Sequence, residues 1–499
     1  MRRTRATTKP SRTVHKITMS QLKDLLQADP GIPRHGATEP YWLHVKHHLA
    51  SVQSEALPEQ TDIVVIGSGI TGTSVTKSLL QDPAQISQRI TVLEARTLCS
   101  GATGRNGGNL LTYGGIIYGK LKSIYGKDLA LKIVEFTIDT IQETRKAVEE
   151  YAAEESELRS VTRVHSFRDS ELFEAAKKSV SQYQSDLPQY GSSYSIITGE
   201  EAAKDYDIHG VVGAILFSGY SLWPYRFIMK VWEALFKEFS SRLTIEANTP
   251  ALKIEYDPSV PSHPYIIETP RGQLRASKVI HCTNGYSSHL LPGLRGLIFP
   301  CLESMTVQDL HVRRRESRCW AILQKPTHDP QSGAKTTELL YMQQNSKSGH
   351  YFIGGGYSTA AEVISANDAA LNARSTAYLQ STLHEFLNTE PGSEDLVSEW
   401  TGVQGMTSDH MPVVGRLSGK QTGRSGDGEW IAAGYNGGGM CMCWRMGEVM
   451  KKMIQEKEPP QWLPEVFLLS QQRMERSLTV ENSVHSASYL LPDETPGDN

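Results

Sequence analysis

Asp62-Ile-Val-Val-Ile-Gly-Ser-Gly-Ile-Thr-Gly72, followed by Ile90-Thr-Val-Leu-Glu94, decides the fold. The β-branched run Ile63 to Ile66 reads as a buried strand. Gly67, Gly69 and Gly72 then fall at G-x-G-x-x-G spacing, and Thr71 to Leu80 reads as the following helix. A second apolar run ends on Glu94, and this strand–turn–helix–strand context turns a weak glycine pattern into a dinucleotide site. Gly67 permits the tight turn, and Gly69 lets backbone approach a pyrophosphate. Gly72 lets helix and strand pack closely, and the helix N-terminus faces the phosphates. Ser68, Ile70 and Thr71 complete this contact surface, and Glu94 can accept hydrogen bonds from a ribose diol. A glycine-rich turn in an ordinary βαβ unit would explain the glycines but not the acid.

The motif alone does not choose between NAD and FAD. The next segment is Ala95-Arg-Thr-Leu-Cys-Ser-Gly-Ala-Thr-Gly-Arg-Asn-Gly-Gly108. Its Ser-Gly-Ala-Thr-Gly-Arg-Asn-Gly-Gly signature resembles the FAD-dependent oxidoreductases of the D-amino-acid oxidase superfamily. The resembling branch includes gamma-glutamylputrescine-oxidase-like amine oxidases and many fungal members, in amine catabolism and in secondary metabolism. The resemblance implies that Ala95, Arg96, Ser100, Gly101, Ala102 and Thr103 lie along FAD. Arg105, Asn106, Gly107 and Gly108 continue that surface, with Gly101, Gly104, Gly107 and Gly108 bringing backbone N–H groups close to the ring. Ala251, Thr283 and Gly285, at the ends of later strands, are expected at the same cofactor.

Two further stretches carry the resemblance: Trp400-Thr-Gly-Val-Gln-Gly-Met-Thr-Ser-Asp-His-Met-Pro-Val-Val-Gly415 and Ala433-Gly-Tyr-Asn-Gly-Gly-Gly-Met440. The resemblance implies that Gly434, Gly437, Gly438, Gly439 and Met440 form a turn opening a helix toward the flavin pyrimidine. Backbone donors there would stabilise negative charge on the reduced ring. Members that oxidise α-amino acids often carry an arginine where Gln404 stands, as a bidentate clamp for the substrate carboxylate. Its absence favours an amine, unless Arg226 or Arg295 supplies the clamp. Asn109 replaces the His or Gln common in the branch, which leaves the flavin contact there open. Tyr341, Trp400, Gln404 and Tyr435 are the candidate catalytic residues, walling the substrate side with Met406. Asp409 is expected to be structural, and His410 is not needed as a base if a neutral amine gives up hydride. Cys301 lies outside the matching motif and reads as a small buried hydrophobe rather than a covalent flavin link.

The 499 residues suffice for more than one core, and 39% hydrophobic with 21% charged residues fits a soluble globular chain. A formal net charge of −4 gives no electrostatic case for nucleic acid, and no long apolar run predicts a membrane span. The six cysteines are scattered, so reduced thiols and an intracellular, cytoplasmic setting are expected, with no metal site. Residues 1–16 are basic and free of acids, a composition compatible with a flexible tail or a mitochondrial presequence, and Pro-Gly-Asp-Asn499 matches no peroxisomal or ER address.

The resemblance implies an α/β fold: a Rossmann-like FAD-binding domain with an inserted α+β substrate domain of mixed or antiparallel sheet. Residues 1–60 read as an arm with a helix near Ser20 to Ala28, pinned by Tyr41 and Trp42. Residues 61–150, 218–300 and 396–460 are expected to build the FAD domain, 151–217 and 301–395 the substrate domain, and 461–499 a sparsely ordered tail. Residues 366–388 read as one helix. The expected reaction oxidises a C–N bond of a small-molecule amine by hydride transfer to flavin N5, giving an imine, with dioxygen reduced to peroxide. The alternatives are a dehydrogenase acting on an amino acid or other small substrate with another acceptor, a flavin-bound protein without catalysis, and a simple NAD-dependent dehydrogenase, which would leave the later glycine turn unexplained.

Overall fold

The computed structural model describes residues 17–191, 193–312, 317–392, 395–456 and 458–491. The basic stretch 1–16 and the C-terminal Pro-Gly-Asp-Asn499 lie outside them. Two large sheets organise the chain. The first runs, edge to edge, Val413–Arg416, Glu429–Ala433, Gly272–His281, Gln60–Ile66, Ile90–Leu93, Leu243–Glu246. Its central pairs are parallel, with Val64 between Thr91 and Val279. Ile63, Val64 and Val65 are completely buried, as strands covered on both faces require. The strand Gln60–Ile66 ends in Gly67 at φ +107°, and the helix Ile70–Leu80 follows. A Cβ at Gly72 would stand 1.9 Å from the Gly67 carbonyl oxygen, so close helix–strand packing admits only glycine there.

The second sheet runs Leu396–Thr407, Ile298–Gln308, Tyr351–Gly355, Leu339–Gln344, Arg318–Leu323, Arg159–Phe167, Gly213–Ser221, Asn109–Leu110. It is antiparallel except where the Arg159–Phe167 and Arg318–Leu323 strands run parallel. Its membership departs from the expected division: Leu396–Thr407 was assigned to the FAD part, and so was the start of 218–300, yet both pair into this second sheet. The helix Lys127–Ala152 and the antiparallel pair of Leu339–Gln344 with Tyr351–Gly355 are further parts of the body.

Two expectations about elements are corrected. The helix expected over 366–388 begins only at Ala373, because Asn372 caps it by accepting from the Arg374 and Ser375 amides. The loop before it carries Asp368, which pairs with Arg96 and Arg105. The segment from 461 is not a sparse tail. Leu463, Phe467, Leu478 and Leu490 are buried, and short helices at Gln471–Arg476 and Val480–Ala487 pack on the body. Its apolar residues are spaced too widely to show helical periodicity, so tertiary packing orders it. The arm is anchored as well. Its helix Met19–Gln27 buries Leu22 and Leu26, and Trp42 stacks on Phe352 with ring centroids 4.2 Å apart. No helix among the described residues is long and apolar enough to cross a membrane.

Candidate active site

The two sheets enclose a cavity of about 710 Å³. At one end the turn Gly67 to Thr71 lines it, with Glu94 beside the turn. The helix Ile70–Leu80 starts on Gly69, which has no side chain to cap it. Its first amide is taken by the Thr103 hydroxyl at 3.0 Å. The Glu94 carboxylate accepts from the Ser68 amide and hydroxyl at 3.1 and 2.6 Å and from the Arg96 amide at 3.0 Å, which fixes it at the cavity wall. A helix start that its own N-cap residue leaves without a side-chain cap, beside a fixed acid, suits a pyrophosphate and a ribose diol.

The stretch after Glu94 continues the wall through Ala95, Arg96, Gly101, Ala102, Thr103 and Arg105. Asn106 and Gly107 follow. A Cβ added at Gly101 would meet nothing within 4 Å, so the space before it belongs to the cavity. Arg105 is held by the Thr38 carbonyl at 2.7 Å, the Thr401 carbonyl at 2.7 Å and the Ser100 carbonyl at 2.8 Å. Burial lowers its guanidinium to about 10, against the opposing pull of Asp368. Ala251, Thr283 and Gly285 also line the cavity, as do Gly437, Gly438, Gly439 and Met440.

Several expected site residues stand behind the wall instead. Gly72 serves the helix–strand contact. Ser100 is buried, and its carbonyl supports Arg105. Gly108, at φ +70°, packs against the Leu222 carbonyl, and Gly104 against that of Cys99. Gly434, at φ +74°, donates its N–H to Asn284 Oδ1 at 3.1 Å. Trp400 is completely buried, and its indole N–H donates to the Arg105 carbonyl at 2.9 Å, so it positions that segment rather than meeting a substrate. The glycine turn after Ala433 does not open a long helix directly. A single 3₁₀ turn at Gly439–Cys441 comes first, and the helix Met446–Glu456 begins later.

At the other end the wall is largely aliphatic, with Leu111, Ile117, Leu121, Ile133 and Val134 among its residues. Glu303 also lines the cavity, and the sequence motifs did not reveal it. Its Oε2 accepts from the Tyr341 hydroxyl at 3.1 Å and from the Gln404 side-chain amide. Burial pushes its carboxyl up, opposed by those two hydrogen bonds. The Tyr341 hydroxyl is raised by burial and by Glu303. The available signal was positional. Glu303, Met305 and Val307 alternate along one strand, and a charge in that row breaks the apolar pattern. Gln404 therefore serves Glu303 with its amide nitrogen, while its Oε1 lies near Gly437. Tyr435 lines the cavity, with its hydroxyl accepting from Thr71 at 3.1 Å.

The remaining expectations resolve locally. Asn109 and Met406 line the cavity. Asp409 is clasped by Arg473 at 2.8 and 2.9 Å and does not line it. His410 lines it at φ +56°, with Nε2 3.0 Å from the Ser486 hydroxyl, and burial lowers its pKa. Arg226 pairs with Glu157 and Arg295 with Asp29, and neither lines the cavity. Cys301 packs among apolar residues away from the cavity wall, its thiol pushed up to about 12 by burial.

Comparison with known proteins fits this geometry. Residues 62–453 match the family model described as FAD dependent oxidoreductase (DAO), and the chain belongs to that family. It is thus an FAD-dependent oxidoreductase. Among solved structures it is similar to glycine oxidase from Geobacillus kaustophilus, at 15% identity and TM-score 0.62, covering 83% of this chain and 99% of that one. It is also similar to L-proline dehydrogenase from P. horikoshii, at 18% identity and TM-score 0.59, covering 84% and 99%. NikD, an unusual amino acid oxidase essential for nikkomycin biosynthesis, shares 17% identity at TM-score 0.60 over 80% and 95%. At these identities the likeness establishes a shared fold. A search of curated proteins finds no match.

Proposed function

We propose that this enzyme oxidises a carbon–nitrogen bond of an apolar amine, with Glu303 holding the substrate nitrogen. The observation that carries this reading is the carboxyl of Glu303, set into the cavity wall and oriented through one oxygen by Tyr341 and Gln404. Its Oε1 has no protein partner among the described residues and is left to a donor such as an amine. Bound FAD supplies the acceptor for the two electrons that leave the C–N bond. The chain's own residues bind and orient. Glu303 accepts an N–H of the substrate, and Tyr341 and Gln404 prevent the carboxyl from turning away. The aliphatic half excludes water, which strengthens the contact to Glu303. Gly101 and the turn Gly437 to Gly439 are suited to receive the cofactor ring, and the turn from Gly67 its pyrophosphate.

Arg96 and Arg105, the two arginines on the cavity wall, are held by Asp368 and by backbone carbonyls. An α-carboxylate beside the reacting carbon therefore has no free cationic clamp there, which favours an amine over a free α-amino acid. Dioxygen is proposed as the final acceptor, with an imine and hydrogen peroxide as products. Amines are screened with the FAD-loaded protein for peroxide release and oxygen uptake. Glu303→Gln is expected to lower kcat/KM by about 10- to 100-fold, the worth of one hydrogen bond to a charged group. Unchanged kcat/KM in that variant overturns the assignment. Turnover with an artificial acceptor but without oxygen uptake overturns the oxidase half alone.

A further inference from the structure

The cysteines give no reason to expect a metal site, but two adjacent histidines of the arm do. His47 and His48 both face Glu233 on the helix Pro224–Glu238. His47 Nε2 lies 3.7 Å from Glu233 Oε2, and His48 Nε2 lies 3.6 Å from Oε1. One donor atom from each of the three residues lies within 4.8 Å of the other two. Around a tetrahedral ion with bonds of about 2.0–2.2 Å, neighbouring donors stand about 3.3 Å apart. The three groups therefore converge to within a small contraction of a shared ion. No other such trio of histidine, cysteine or carboxylate donors occurs among the described residues.

The ligands are oriented by their neighbours. The His47 amide donates to the hydroxyl of Tyr225, a buried residue of the same helix, at 3.1 Å. The His47 and His48 rings lie side by side, with centroids 4.2 Å apart and planes tilted by 31°. Lys230, one turn earlier on the helix, donates to Glu233 Oε2 at 2.9 Å, which orients the carboxylate and leaves Oε1 for an ion. As simple ion pairs, both rings would have to be protonated, and two such neighbours repel. A divalent ion takes both rings neutral. Two imidazoles and a carboxylate, with no thiolate, suit Zn²⁺. The side chains of His48 and Glu233 are 65% and 35% exposed, so water can complete the coordination. The Leu49 amide reaches His47 Nδ1 at 3.3 Å. An ion at Nε2 puts the ring proton on Nδ1 and gives up this long contact, a loss small beside a metal–nitrogen bond.

We propose that His47, His48 and Glu233 bind one Zn²⁺, with water as the fourth ligand, and that the ion fastens the arm to the helix Pro224–Glu238. None of the three lines the cavity, so the ion braces the fold and the proposal does not rest on the amine reading. The fastened helix supports the cofactor end of the molecule. Trp232, next to Glu233, is completely buried and donates to the Ser68 carbonyl at 3.0 Å, in the turn suited to a pyrophosphate. At the start of the same helix, Trp223 donates to the Trp42 carbonyl of the arm at 2.9 Å. The ion adds a second tie between arm and helix, further along both.

The test is calorimetric titration of the tag-free, chelator-treated, FAD-loaded protein with Zn²⁺. One ion per chain is expected, and Co²⁺ in its place is expected to give tetrahedral bands at wavelengths longer than the flavin absorbs. Glu233→Gln and His48→Ala change partly exposed side chains, and each is expected to weaken binding about 100-fold or more, since an outer partner alone is worth about 10- to 100-fold. His44→Ala is the control. His44 lies in the same segment but against Tyr41, with ring centroids 5.2 Å apart, and its loss is expected to leave Zn²⁺ affinity unchanged. With Zn²⁺ at about 100 times Kd, trypsin cleavage after the exposed Lys46 is expected to slow at least about tenfold, because the segment must open first. Absence of stoichiometric binding overturns the proposal. Binding that survives Glu233→Gln, or that falls equally in His44→Ala, belongs to a histidine-rich segment alone and overturns it as well. Stoichiometric binding with unchanged cleavage after Lys46 overturns the fastening role.

Discussion

At the scale of single residues, Glu303 sets a conflict between stability and binding. Burial raises its carboxyl above the ordinary range. An acid raised in the folded state binds its proton more tightly there than in the unfolded chain. Stability then falls as pH rises from the unfolded pKa through the folded one, and the loss is complete above it. Glu303→Gln is therefore expected to raise the Tm of the cofactor-free protein at neutral pH, with the gain disappearing in acid below the ordinary carboxyl pKa. Thermal melts at the two pH values check this, and equal Tm differences would contradict it. Tyr341→Phe removes one of the donors that oppose the shift. It is expected to raise the Glu303 pKa further and to move the acid limb of the kcat/KM profile to higher pH. A limb that moves the other way would refute the role given to that hydroxyl. Tyr341 and Gln404 could be singled out in the sequence, but their meeting on Glu303 could not. Glu303, Tyr341 and Gln404 come from three strands and meet only through register, whereas Gly67 or Gly72 announces a backbone demand at its own position.

At the scale of elements, turns were read better than the segments that brace them. The run from Asp409 to Gly415 could be recognised, but not the helix Gln471–Arg476 that fastens it. Arg473 forks onto Asp409 and also donates to the Pro412, Phe467 and Met411 carbonyls at 2.7, 2.9 and 2.8 Å. Burial opposes ionisation of Asp409, but Arg473 outweighs it and holds the carboxyl below its usual value. That contribution is present above the unfolded pKa and is lost as pH falls through the folded one. Arg473→Ala leaves a buried acid unpaired and is expected to cost about 3–5 kcal/mol, measurable by urea unfolding at neutral pH. A loss below about 1 kcal/mol would mean that the pair is no better than a surface one. The helix could not be read because six polar-rich residues carry no period of their own, and its order comes from the fork.

At the scale of the whole molecule, the family resemblance spans 62–453, and both flanks add to it. Gly31, Ile32 and Pro33 of the arm line the cavity. Trp42 donates to the Asn106 carbonyl at 2.6 Å, beside the stretch expected along FAD. Trp42→Ala is expected to cost about 3–5 kcal/mol and to weaken FAD retention, read by urea unfolding and by flavin loss on dialysis. Full FAD occupancy after dialysis would limit Trp42 to packing. The start of the first sheet was legible from glycine spacing and strand periodicity, and the second sheet was expected from the family resemblance. The pinning of the arm by Trp42 was legible too, whereas the packing of the 461–491 segment was not, because its partners lie far away in sequence.

That distance has a consequence for synthesis. Thr38 holds Arg105, and its own hydroxyl donates to the Asp368 carbonyl, 330 residues later in the chain. At about 5–20 residues per second, the ribosome supplies that partner only about 17–66 s after the arm emerges. Until then the arm has its contacts to Asn106 and Arg105 available but lacks its later partners. The nascent oxidoreductase therefore passes through an interval in which its cofactor chamber is incomplete on the arm's side.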